Sequence, residues 1–219
     1  AAAKKHWEWH KAGFPPELDP AYVWFETINE VDKNRAEWLG QFALETAKLT
    51  MAEGYRWAAF GWSAGEPEPW QWETPSMLAF LRLAGENPDK LAIALHEYSF
   101  TNANVGNIYP YLIGRFQTLF DICDRHGIPR PTVMITEWGW EYNSVPTVST
   151  ALKDIEWASW LYAAYPEVKG AAVWYLGPGF GGIANQTQKL IAPLRDYSLS
   201  SYFIVTPGKR TVDPHTFQP

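Results

Sequence analysis

Apolar runs of strand length alternate with amphipathic helical runs five times along the chain. The strands are expected at Tyr22–Ile28, Tyr55–Gly61, Leu91–Tyr98, Thr132–Trp138 and Gly170–Leu176. The helices between and after them are expected over about 34–53, 74–85, 109–126, 149–164 and from Gln186 into the Ser198 region. Strand alternating with helix predicts βαβ units and a parallel sheet. The strands carry continuous apolar stretches (AIAL, TVMI, GAAV) rather than a strict apolar–polar alternation, as a sheet covered by helices requires. Strand starts fall 33, 36, 41 and 38 residues apart. Ahead of them, the amphipathic stretch Trp7-Glu8-Trp9-His10 reads as one more helix, ended by Pro15-Pro16. The expected organisation is one α/β domain over residues 1–205 and an irregular Pro-bearing tail over 206–219.

The polar residues that break this pattern collect at strand ends: Asn29-Glu30, Gly61-Trp62, His96-Glu97-Tyr98, Glu137-Trp138 and Trp174-Tyr175. In parallel α/β folds, the carboxyl ends of the strands are where ligands bind. Two Glu at such ends can serve glycosidic bond cleavage with retention. That chemistry needs one carboxyl group to protonate the leaving oxygen and another to attack the anomeric carbon.

Composition sharpens this picture. Thirteen Trp occur in 219 residues, several beside Gly, Pro or Glu, where core packing explains them least: Trp62, Trp70, Trp72, Trp138, Trp140. A flat aromatic face suits a sugar ring, a nucleotide base or a protein hot spot. The formal charge of −6 comes without a basic stripe, which argues against a nucleic-acid partner. No window approaches the length of a membrane span. The single cysteine, Cys123, allows no internal disulfide and reads as a buried thiol. No His pair has the His-Glu-x-x-His order of a helical metal site, the Gly-rich 177–182 segment lacks a phosphate-loop Lys, and neither a metal nor another cofactor is expected.

The Asn29-Glu30 pair after an apolar strand, His96-Glu97-Tyr98, the Thr136-Glu137-Trp138-Gly139 strand end and Trp174 together resemble glycoside hydrolase clan A. That group of retaining (β/α)8-barrel enzymes includes cellulases, mannanases, xylanases and β-glycosidases. The resemblance covers about residues 20–180. It implies a partial TIM-type barrel whose five strands correspond to strands 4–8, with strands 1–3 missing. It implies Glu30 as the acid/base, held protonated near neutral pH, and Glu137 as the nucleophile. Asn29 is then placed at the sugar 2-hydroxyl, Tyr98 at the nucleophile and His96 near the acid/base or the sugar. Trp174, Trp138 and Trp62 become stacking candidates. Glu97 and Glu141 are reserve carboxylates, Glu66 and Glu68 read as rim residues, and Glu26 reads as a buried partner of a cation.

The implied activity is double-displacement hydrolysis of β-linked glucan- or mannan-type oligo- or polysaccharides. The alternative is a non-catalytic carbohydrate-binding or scaffold protein on a decayed barrel. Two unpaired sheet edges are expected to favour a homo-oligomer. The compartment stays open: secretion fits, but a signal would have been lost with the first three strands.

Overall fold

The computed structural model describes residues 1–100, 104–141, 144–177 and 182–200; the expected tail over 206–219 lies outside the described residues. The elements run α1 Ala2–Ala12, β1 Trp24–Glu26, α2 Ala36–Ala52, β2 Arg56–Trp62, α3 Pro69–Trp72, α4 Pro75–Glu86 and β3 Leu91–Ser99. They continue with α5 Val105–Ile108, α6 Phe116–Arg125, β4 Thr132–Glu141, α7 Val148–Ala163, β5 Val168–Val173, α8 Ile183–Thr187 and α9 Ile191–Ser200. The strands form one sheet in the order β1-β2-β3-β4-β5, all parallel. Each strand thus pairs with its sequence neighbours and β1 and β5 are the edges. This is the topology of five consecutive βα units of a TIM-type barrel, an α/β fold. Among the described residues, no helix is long and apolar enough to cross a membrane.

By internal contacts the chain divides into two compact units. The first comprises Ala1–Leu95 with Phe116–Met134, and the second His96–Arg115 with Ile135–Pro219. In the first unit β1 is in register with β2 through Trp24↔Arg56 and Glu26↔Ala58. Ala58, Ala92 and Ala94 make a small-residue layer on one sheet face, with Trp24 and Met134 packed against it. The opposite face takes the helices. α2 buries Leu39, Ala43 and Ala47 at the spacing of one helical face, and α4 buries Met77, Phe80, Leu81 and Ala84. Burying a side chain such as Phe80 contributes about 1.5–3 kcal/mol. Gly40 lets the two helices approach, because a Cβ there would run into the backbone of Ser76 and Met77. α6 closes this layer with Phe116, Leu119, Phe120 and Cys123.

In the second unit α7 packs on β5 and buries Trp157, Ala158 and Leu161. Lys169, Gly170, Ala171 and Ala172 of β5 are exposed. α9 has no buried residue and is a surface helix.

Several boundaries depart from the sequence expectation, among them β4, which runs on to Glu141, three residues past Trp138. β1 is three residues long rather than seven, running only from Trp24 to Glu26. The helix expected from Tyr109 begins only at Phe116. Pro110 disfavours helical backbone at Tyr109, and Gly114 is left-handed with φ 86°. β5 starts two residues early and stops at Val173, ahead of Trp174.

Candidate active site

The second unit holds Glu137, His96, Tyr98, Trp138 and Trp174. Glu137 lies on β4 and keeps 22% of its side chain exposed, whereas His96 on β3 is 1% exposed. Nδ1 of His96 lies 3.4 Å from Oε2 of Glu137. That is long for a hydrogen bond but close for an electrostatic contact. A buried imidazole thus backs a carboxylate that opens to solvent. Two residues on, Tyr98 shares the His96 side of the strand. Its half-buried ring lies 6.2 Å from His96 and 5.3 Å from Phe100 between centroids.

Glu97 points the other way. It is fully buried, and its Oε2 accepts from the Tyr162 hydroxyl at 2.6 Å and from the Gly114 amide at 2.8 Å. Burial first, and the Glu97 charge second, push the Tyr162 phenol well above its ordinary range. Glu97 is therefore a structural carboxylate that fastens α7 and the Gly114 turn to β3, not a reserve for the site. No sequence signal could have paired it with Tyr162, 65 residues away.

Trp174 is half-buried, stacks on Tyr175 with centroids 4.8 Å apart, and donates its amide to the Trp138 carbonyl at 2.8 Å. Trp138, expected as a platform, is 2% exposed and meets Trp140 edge-on at 5.1 Å. Trp140 in turn donates to buried Asp154 at 2.6 Å. Burial raises the Asp154 pKa against the lowering effect of that bond. Trp138 therefore offers no open face and belongs to the packing between β4 and α7.

The first unit holds Asn29, Glu30 and Trp62. Asn29 and Glu30 are exposed just past β1, and the Glu30 amide donates to the Gly61 carbonyl at 2.8 Å. Glu26, on the face of β1 shared with Trp24, is half-buried, with its Oε1 directed at Gly61. Trp62, the third expected platform, is fully buried against Phe60 and Trp72, so it too is packing. Lys33 pairs with Glu66 at 3.1 Å and Glu68 at 3.6 Å, which gives those two a rim ion-pair role.

No family model and no curated protein matches the chain. Among solved structures it is similar to a GH39 enzyme from Xanthomonas axonopodis pv. citri. The two are 16% identical over 78% of this chain and 37% of that one, with a TM-score of 0.49. It is also similar to a GH39 β-xylosidase from Caulobacter crescentus, 14% identical over 83% of this chain and 42% of that one, again with a TM-score of 0.49. The chain thus spans less than half the length of either.

The chemistry open to these groups follows from their exposure. Glu137 is a solvent-reachable carboxylate with a donor-capable imidazole behind it, as a nucleophile or base requires. Glu30 is a solvent-reachable carboxyl group just past β1, with its amide held by the Gly61 carbonyl.

Proposed function

We propose that this chain is a retaining glycoside hydrolase acting on β-linked glucan- or mannan-type oligo- or polysaccharides. Glu137 attacks the anomeric carbon while Glu30 gives its proton to the departing glycosidic oxygen. The glycosyl–Glu137 ester then meets a water whose proton returns to Glu30, and the hydroxide oxygen displaces Glu137 from the anomeric carbon. Asn29 contacts the sugar 2-hydroxyl, Tyr98 orients the nucleophile, and Trp174 is the one remaining stacking platform of the three. The reading is supported chiefly by the His96–Glu137 contact. Polarising a half-open carboxylate with a buried imidazole serves a reacting group and is wasted on a rim salt bridge.

The test is a panel of 2-fluoro aryl β-glycosides followed by peptide mapping. Label is expected on Glu137, and its sugar identifies the substrate class. Glu137→Gln and Glu30→Gln are each expected to abolish hydrolysis of unactivated β-glycosides. Unlabelled protein, together with unchanged turnover in both variants, would overturn the proposal.

A further inference from the structure

The geometry points to Gly61, at a bulge in β2, as the positioning residue that aims Glu30 for proton delivery; this rests on Glu30 being the acid/base. Register against β3 shows the bulge. Ala59 pairs with Ile93 and Trp62 with Leu95, so β2 spends one residue more than β3 over the same span. The extra residue falls at Phe60-Gly61, both left-handed, with φ of 83° and 51°.

Left-handed backbone is rare for a bulky residue and persists only where its surroundings impose it. Those surroundings are visible. Trp57 and Phe60, three residues apart, would face opposite ways in a regular strand. Here both meet Phe80, at 6.2 and 5.4 Å between centroids. The Phe60 ring is fully buried among Phe80, Trp62 and Trp72. Core packing thus holds the bulge in place.

The bulge determines the direction of Gly61. Its carbonyl receives the Glu30 amide, and Glu30 is itself left-handed with φ 46°. Among the described residues, Glu30 and Phe60 are the non-glycine residues with positive φ, and Gly61 links them. A Cβ on Gly61 would stand 2.7 Å from Glu26 Oε1 and 3.0 Å from Asn29 Oδ1, and 3.2 Å from the Asn29 Cα. Space and backbone angle both demand glycine. A methyl group there pushes the Asn29-Glu30 segment off β2.

Proton delivery needs the donor within about 2.6–3.2 Å of the leaving oxygen, and a 1 Å error costs on the order of 100-fold. The demand depends on the leaving group. A phenolate or alkoxide leaves poorly without a proton, whereas 2,4-dinitrophenolate leaves without one. Gly61→Ala is therefore expected to lower kcat/KM on a phenyl β-glycoside by on the order of 100-fold. It should leave the 2,4-dinitrophenyl β-glycoside nearly unchanged, the same split as in Glu30→Gln. Equal losses on both substrates, or no loss, overturn the proposal.

Amide hydrogen exchange by NMR supplies a readout that needs no turnover. The Glu30 amide is expected to be protected in the native protein and to lose protection in Gly61→Ala. The Trp57 amide, which donates to the Lys90 carbonyl at 2.9 Å, is expected to keep its protection. An unprotected Glu30 amide in the native protein sinks the proposal even if Gly61→Ala fails to fold. A native protein inert to every aryl glycoside defeats the hydrolase reading instead, and exchange still decides whether Gly61 holds Glu30.

Discussion

Nδ1 of His96 lies 3.4 Å from Oε2 of Glu137, with the imidazole almost wholly buried and the carboxylate partly open. A donor held this way steadies the charged carboxylate and its direction. Losing about 1.4–2.8 kcal/mol of that positioning would cost about 10- to 100-fold in rate.

His96→Gln is therefore expected to lower kcat on an aryl β-glycoside by about 10- to 100-fold with little change in KM. The readout is steady-state kinetics across substrate concentration. A rise in KM with unchanged kcat would assign His96 to sugar binding instead.

A pH effect is expected from α1. The His6 Nε2 shares a hydrogen bond with the Thr27 hydroxyl at 2.9 Å. Burial first, and the neighbouring His10 second, push its pKa down to about 4. A depressed histidine pKa means that the unfolded chain takes up the proton before the folded one does. The stability tied to neutral His6 is full above the unfolded value of about 6.5 and is lost as pH falls from there towards about 4. Urea midpoints at pH 7, 5.5 and 4 should therefore fall faster for the native protein than for His6→Gln. Parallel curves would contradict this.

Much of the fold is legible because its signals are local. Periodicity places all five strands and most helices to within a few residues, since each element packs one face against a neighbour close in sequence. Asn29, Glu30, His96 and Glu137 stand out in the sequence as polar residues towards strand ends, although β4 runs on to Glu141 and leaves Glu137 inside its strand. Trp62 and Trp138 show the limit. A Trp beside Gly or Glu looks like a loop residue, yet both rings turn into packing, Trp62 beyond a bulge that reverses the strand's alternation. The register shift at Phe60-Gly61 depends on contacts with Phe80 and Trp72, and Glu97 depends on Tyr162. Neither relation has a sequence period to reveal it.

Gly40 tests helix packing apart from the site. A Cβ there would overlap the backbone of Ser76 and Met77 at the start of α4, and backbone cannot rotate away as a side chain can. Gly40→Ala is expected to destabilise the protein by about 1–3 kcal/mol, despite the better helix propensity of Ala. Chemical unfolding measures it. A more stable variant would mean that α2 and α4 stand further apart than described.

Tyr162 tests the buried carboxylate behind β3. Its hydroxyl donates to Glu97 Oε2 at 2.6 Å, and the Gly114 amide donates to the same oxygen at 2.8 Å. Tyr162→Phe keeps the ring in its packed position and removes one donor from a carboxylate that water does not reach. A bond to a buried charge contributes more than one at the surface, so the expected loss is about 1.5–3 kcal/mol. Glu97→Gln in the Tyr162→Phe background should recover part of that loss, because a neutral amide tolerates a missing donor better than a carboxylate does. The tyrosine also adds a pH signature. Its raised pKa means the folded state keeps the phenolic proton where the unfolded chain gives it up. The native protein's advantage over Tyr162→Phe should be full below about pH 10 and shrink as pH rises above it. Urea unfolding of the native protein, Tyr162→Phe, Glu97→Gln and the double variant at pH 7, with native and Tyr162→Phe repeated at pH 10.5, measures both effects. Additive losses in the double variant would mean that Glu97 takes its charge balance from elsewhere.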